Sequence, residues 1–292
     1  MNILNDGYTL MHEHMTLDLS RIKQEEDCRL DCKEETIREC RQLYELGVRN
    51  IVDVTNTGMG QNVPYVEEVE RRTGIRILQS AGYYKEPFFP KEVYTQSVEE
   101  LAENMADQVL NGFKESSSKA ALLGEIGTSA EAIRDSERKV LDAAVLAHKK
   151  TKVPIYTHTT KGVYAKEQAE YLVSQGVDPG KLVIGHVDLI GRIDYIRAVL
   201  RQGVFVGFDT IGKENYLLDE KRAALLYELD QEGLLAQVVL SMDITRKSGL
   251  RYKGGRGYMY LFTHFLPMLR DAGIQESHIR QMLVDNPQRI FS

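Results

Sequence analysis

The sequence predicts an α/β fold: one closed (β/α)8 TIM barrel with an extra C-terminal helix, covering residues 1–292 as a single domain. Three observations lead there. Short Val/Ile/Leu-rich runs alternate with stretches of helical period, eight times over. The runs are nearly continuous in their apolar residues, as expected of strands covered on both faces. No linker or shift in composition interrupts the rhythm. A doubly wound open sheet is the alternative, disfavoured because no glycine-rich phosphate loop follows the first strand.

In order, the strands are expected near Tyr8–His14, Val48–Asn56, Ile75–Tyr84, Ala120–Gly127, Val153–Thr159, Lys181–Asp188, Val204–Thr210 and Gln237–Asp243. Gly, Pro, Asp or Asn bounds each of them. The first helix, Glu34–Leu46, stops at Gly47, and Val63–Arg72 stops at Thr73-Gly74. Ser97–Leu110 opens with a capping box from Ser97 and Glu100. Ser136–Lys150, Ala165–Gln175, Ile190–Arg201, Asp219–Glu232 and Tyr258–Arg270 complete the alternation, most of them ending at a glycine. A last helix, Glu276–Leu283, is expected to precede Asn286-Pro287.

Composition narrows the function. A 42% hydrophobic and 27% charged chain is an ordinary globular protein, and a net charge of −6 argues against nucleic acid as partner. No apolar run reaches a membrane span, and no secretory signal opens the chain. The expected location is cytoplasmic. Cys28, Cys32 and Cys40 are an odd number within one short stretch, read as reduced thiols rather than a disulfide framework. The expected partner is a small, anionic substrate; a homodimer is compatible with the sequence.

Barrel enzymes carry their chemistry at the C-terminal ends of the strands. Strand one ends in His12 and His14, two apart and so on one face. Strand four carries Glu125, strand five His158, strand six His186 and strand eight Asp243. Singly, each has a structural explanation: a core hydrogen bond, an ion pair, a turn cap. Together, four imidazoles and two carboxylates at one barrel mouth call for a cation. That donor mixture suits Zn, Mn, Fe or Co better than Ca or Mg. Six ligands exceed one tetrahedral ion and suit two, at roughly 3.5–4 Å. Glu125, between the two histidine groups, is placed to bridge them.

Joined with Gly124-Glu125-Ile126-Gly127-Thr128, Thr157-His158-Thr159, Gly185-His186-Val187-Asp188, Phe208-Asp209-Thr210-Ile211-Gly212, Ser241-Met242-Asp243 and Asp285-Asn286-Pro287, the His12-Glu13-His14 motif resembles the phosphotriesterase family of the amidohydrolase superfamily. The likeness runs over nearly the whole chain. It implies a dinuclear centre, expected to be zinc. His12, His14 and Asp243 would hold the more buried ion, and His158 and His186 the more exposed one. The family's usual carboxylated-lysine bridge is here Glu125, which keeps a carboxylate without needing carbon dioxide. This departure weighs against triester hydrolysis, because bridge length and charge set metal spacing and hydroxide basicity. The implied mechanism is attack by a metal-bridging hydroxide, with Asp243 carrying a proton to the leaving group. A lactone or other carboxylic ester is the expected substrate.

The substrate contacts are less sharply drawn. The segment 246–257 holds five cations, among them Arg246, Arg251 and Arg256, as candidate clamps for a phosphorylated substrate; a solvated surface loop is the competing reading. One of Tyr83 and Tyr84, with Tyr84 preferred, is expected in the pocket. Lys85, Asn56 and Lys213 are weaker candidates.

Overall fold

The structure, a computed structural model, describes residues 3–4, 6–114, 116 and 118–292. Eight parallel strands follow one another around a nearly closed barrel: β1 (Tyr8–Glu13), β2 (Val48–Asp53), β3 (Arg76–Ala81), β4 (Leu122–Thr128), β5 (Ile155–Thr159), β6 (Leu182–Ile184), β7 (Phe205–Phe208) and β8 (Val238–Leu240). Between β8 and β1 no regular ladder forms. The seam is joined by Asp243 N–H to the His12 carbonyl (3.3 Å) and by His12 N–H to Ser241 Oγ (3.0 Å).

Seven crossover helices cover the barrel: α1 (Lys33–Glu45), α2 (Val63–Thr73), α3 (Val98–Leu110), α4 (Asp135–Thr151), α5 (Ala165–Ser174), α6 (Ile193–Leu200) and α7 (Asp219–Gln231). The capping box at Ser97 and Glu100 forms in both directions, at 3.2 and 2.7 Å. A short antiparallel pair, Leu17–Asp18 with Arg29–Leu30, follows β1.

The apolar residues divide into two layers, as the period-two pattern of a barrel strand requires. Met11, Val52, Leu78, Leu122, Tyr156, Val183, Phe205 and Val239 point inward, each strand giving one. Their neighbours face the helices in the larger core. Among the described residues, no helix is long and apolar enough to cross a membrane, and the three cysteines are unpaired.

Three expectations about element bounds are corrected. β6 and β8 end at Ile184 and Leu240, so His186 and Asp243 lie on the loops just beyond the strands and not within them. Both take left-handed backbone, φ 58 and 52, which breaks the ladder. The expected helix Ile190–Arg201 starts only at Ile193, because Gly191 (φ 62) ends a 3-10 turn at Val187–Ile190. At the C-terminus, helical structure does not end at Leu283 but runs on through Asn286-Pro287. A widened π turn at Gln281–Asp285 precedes it, and Pro287 sits in the first turn of Asn286–Phe291, where its missing N–H costs nothing. A similar π turn, Leu261–Phe265, opens the expected Tyr258–Arg270 helix. The last helix plugs the barrel floor: Ile290 joins the inner core, and buried Asn286 donates to the Leu235 and Val238 carbonyls.

Candidate metal centre

The strand ends bring His12, His14, Glu125, His158, His186 and Asp243 into one buried cluster. Two features of the backbone make room. A Cβ at Gly124 would lie 2.7 Å from the Tyr156 carbonyl, and one at Gly185 would lie 2.2 Å from the Thr157 carbonyl. Only glycine permits those approaches beside Glu125 and His186. Asn56 Nδ2 donates to the carbonyls of Gly124 (3.0 Å) and Glu125 (2.9 Å), fixing the bend that turns Glu125 into the barrel. Asn56 thus acts as a support, and it lines neither cavity described below.

Glu125 stands at the middle. Its Oε2 lies 2.8 Å from His158 Nδ1, 3.5 Å from His12 Nε2 and 3.6 Å from His186 Nε2. Its Oε1 lies 3.6 Å from His14 Nε2. Asp243 Oδ1 faces His14 Nε2 at 3.2 Å and His12 Nε2 at 3.7 Å. Three overlapping groups of ligand atoms are close enough to share an ion: His12, His14 and Glu125; His12, His186 and Asp243; Glu125, His158 and His186.

Outer hydrogen bonds fix which imidazole nitrogen faces this space. Thr55 Oγ1 donates to the Thr16 carbonyl (3.0 Å), so it accepts from His14 Nδ1–H (2.8 Å) and leaves Nε2 bare. Asp209 accepts from His186 Nδ1–H (2.8 Å) and from the His186 backbone N–H (2.9 Å), which turns Nε2 toward His158 Nδ1 and Glu125 Oε2. Thr160 Oγ1 donates to the Thr128 carbonyl (2.7 Å) and accepts from His158 Nε2–H (3.3 Å), so His158 offers Nδ1 instead.

These tautomers make the cluster a good fit for cations. His12 Nε2 and His14 Nε2 are buried without a hydrogen-bond partner. His186 Nε2 and His158 Nδ1 face each other at 2.9 Å, and His158 Nδ1 also meets Glu125 Oε2 at 2.8 Å. Bare nitrogens so placed are unfavourable unless something positive lies among them. Burial lowers both His12 and His158 to about 4, which keeps them in the neutral, ligating form. Burial pushes Glu125 and Asp243 up, but the imidazoles facing Glu125, and Lys213 beside Asp243, hold both carboxyls well below the usual range.

The cluster floors a cavity of about 220 Å³. Tyr84 lines it, with its hydroxyl 3.4 Å from both ring nitrogens of His158. Tyr83 turns away toward Asn104 (3.4 Å). Lys213 pairs with Asp243 Oδ2. Lys85 lines the wall, packed against Tyr84 and Phe88. A contiguous outer cavity of about 400 Å³ shares Lys23, Lys213 and Tyr216 with the first and carries Arg246 and Arg256 on its rim. Arg251 lines neither cavity and is exposed. Both rim arginines already have partners: Arg246 has Glu25 and Asp27, and Arg256 has Glu214.

The sequence reading assigned no role to Asp209, Thr55, Thr160, Lys23 or Lys161. Asp209 lay inside a quoted motif at a strand end, which was its only signal. Lys23 and Lys161 reach the cavity from loops whose course is not encoded locally.

The sequence matches the phosphotriesterase family over residues 2–291. The chain belongs to the phosphotriesterase family. It is 45% identical over 285 residues to the phosphotriesterase homology protein of Escherichia coli (strain K12), covering 98% of each chain. The crystal structure of that protein, with phosphate in its active site, superposes with a TM-score of 0.97 over 99% of this chain and 100% of that one. The lactonase Lmo2620 of Listeria monocytogenes is 29% identical with a TM-score of 0.93, covering 99% of this chain and 95% of that one. The aryldialkylphosphatase of Saccharolobus solfataricus is 29% identical over 299 residues, 98% of this chain and 95% of its own. Members of the phosphotriesterase family are hydrolases that act on small molecules with a divalent metal centre; this chain is a hydrolase of the family and has His, Glu and Asp groups that could hold such a metal.

Proposed function

We propose that this phosphotriesterase-family hydrolase, acting as one domain over residues 1–292, opens lactones or other carboxylic esters, with a phosphorylated sugar lactone as the favoured substrate. His12, His14 and Asp243 would hold one divalent transition-metal ion, His158 and His186 a second, and Glu125 would bridge the two; zinc is the expected metal. The observation that carries the reading is the unpartnered, buried Nε2 of His12 and of His14, facing Glu125 and Asp243. When bound, such a metal pair supplies Lewis acidity and a water acidic enough to act as nucleophile near neutral pH.

The chain's own residues do the rest. Asp243 has one oxygen toward the imidazoles and the other on Lys213. In this role it accepts a proton at Oδ1 from the attacking water and returns it to the leaving alkoxide, which departs poorly without one. Lys213 keeps that carboxylate ionised and aimed. The Tyr84 hydroxyl, beside His158, orients the carbonyl that is attacked. Lys23, Lys85, Lys161 and Lys213 line the inner cavity, giving it a positive wall in a chain of net charge −6. That wall supports an anionic substrate, as does the phosphate held by the E. coli relative. Its cations come from the loops after β1, β3, β5 and β7, with the loop after β8 adding only the rim arginines.

Hydrolysis of aryl phosphotriesters or phosphodiesters by the same centre is the second reading, favoured by the likeness to the Saccharolobus aryldialkylphosphatase. A screen of metal-loaded protein against a lactone library that includes sugar lactone phosphates, run beside aryl phosphotriesters, separates the two. Turnover confined to activated aryl phosphotriesters would overturn the lactonase reading.

A further inference from the structure

Glu13, the last residue of β1, sits between His12 and His14 past a register shift in the strand, and its side chain turns away from theirs to the segment 241–244. It is wholly buried, at 0% exposure, and no cation pairs with it among the described residues. Burying a carboxylate without a counter-charge is costly, so its retention calls for specific partners. All of them lie across the seam, around Asp243. Glu13 Oε1 accepts from Ser241 Oγ (2.8 Å) and from the Met242 backbone N–H (2.8 Å), and Oε2 accepts from the Ile244 N–H (3.3 Å). Ser241 Oγ also accepts from His12 N–H (3.0 Å), and Asp243 N–H reaches the His12 carbonyl (3.3 Å).

The N–H groups on both sides of Asp243 are therefore tied to one carboxylate. Between them Asp243 takes φ 52, a left-handed conformation that non-glycine residues adopt at a cost. That conformation directs Oδ1 at His12 and His14. β1 and β8 share no regular ladder here; backbone bonds hold Ser241 to Phe208 and Ile211 and the Asp243 N–H to His12, but the Met242 and Ile244 N–H groups go to Glu13.

We propose that Glu13 is a positioning residue. Its carboxylate clamps the turn 241–244 across the barrel seam and holds Asp243 facing the two histidines that flank Glu13. One strand residue thereby couples the ligands that β1 supplies to the ligand supplied some 230 residues later. The inference rests on the proposed ligand role of Asp243. Glutamine at position 13 could still accept with one oxygen from Ser241 and Met242, but its amide nitrogen would face the Ile244 N–H, donor against donor.

The test compares wild type with Glu13→Gln, Glu13→Ala and, as a milder probe should Glu13→Ala misfold, Ser241→Ala. Two readouts are used. Cobalt(II) titration against a competing chelator, followed by the visible spectrum, gives the affinity of each ion. Hydrogen exchange of the metal-free protein reports on the segment 238–246. Glu13→Ala is expected to weaken the ion of His12, His14 and Asp243 by ten- to a hundred-fold, the size of losses on removing a supporting partner. The other ion should change by less than about threefold, and Glu13→Gln should fall between wild type and Glu13→Ala. In metal-free Glu13→Ala the Met242 and Ile244 amides should exchange at least about tenfold faster. Equal weakening of both ions, in step with a lowered Tm, would overturn the proposal as general destabilisation; so would unchanged exchange at those amides. Should wild type itself bind no cobalt, the ligand reading fails separately. The exchange arm then still decides whether Glu13 sets the Asp243 turn.

Discussion

Asp209→Asn separates charge from geometry at His186. Asp209 is fully buried; its Oδ1 accepts from His186 Nδ1–H (2.8 Å) and N–H (2.9 Å), and its Oδ2 accepts from the Tyr156 hydroxyl (2.7 Å). An asparagine with its oxygen toward His186 keeps both bonds to that residue and loses the negative charge; its amide nitrogen then faces the Tyr156 hydroxyl and His12 Nδ1, so the tyrosine must accept where it donated. Charged hydrogen bonds contribute about 1.5–3 kcal/mol and neutral ones about 0.5–1.5 kcal/mol, so each of the two weakens by about 1 kcal/mol. The sum, about 2 kcal/mol, corresponds to about 30-fold in affinity for the ion proposed on His158 and His186. Asp209→Ala also frees the ring to change tautomer and should cost more. Metal-release titration with a graded chelator series is the assay: one ion should leave early in the variant while the other is retained. Release of both ions at wild-type chelator concentration would refute the argument that Asp209 orients His186. Preferential loss of the ion assigned to His12 and His14 would refute the assignment of ligands.

Three further outcomes are expected. Glu125→Gln should abolish activity and disturb both ions, because a neutral amide bridges poorly, and added bicarbonate should not restore it; recovery with bicarbonate would reveal a carboxylated lysine at the centre. Lys213→Met removes the cation that holds Asp243 below the usual carboxylate range. The Asp243 pKa then rises, and since activity is lost as pH falls through that pKa, the acidic limb of kcat/KM should move to higher pH; an unmoved limb would exclude Asp243 as the proton carrier. Arg246→Ala or Arg256→Ala should lower kcat/KM for phosphorylated lactones by about tenfold while sparing neutral ones. That is the low end for a charge-assisted contact, because each arginine must first leave an acidic partner. Arg251→Ala, which lines neither cavity, should be silent on both substrates.

What the sequence determined by itself was whatever local pattern encodes. Eight apolar runs alternating with helical periods specify a parallel barrel because such strands must be covered on both faces. Barrel topology then places every strand's C-terminal end at one mouth, so His12, His14, Glu125, His158, His186 and Asp243 could be read as neighbours before any coordinate was known. The tertiary structure decided what depends on groups far apart in the chain. Which imidazole nitrogen faces the centre rests on Thr55, Asp209 and Thr160, partners found on other strands or loops. The left-handed backbone of His186 and Asp243 shortens β6 and β8, and across the seam the N–H groups on either side of Asp243 meet Glu13, which in sequence is only a spacer between two histidines. The 246–257 segment shows the same division. Its five cations were plain in the sequence, but the acidic loop at Glu25, Asp27 and Asp31 that neutralises Arg246 and Lys247 lies over 200 residues away. Charge is a property of composition, whereas the availability of a charge depends on what folds against it.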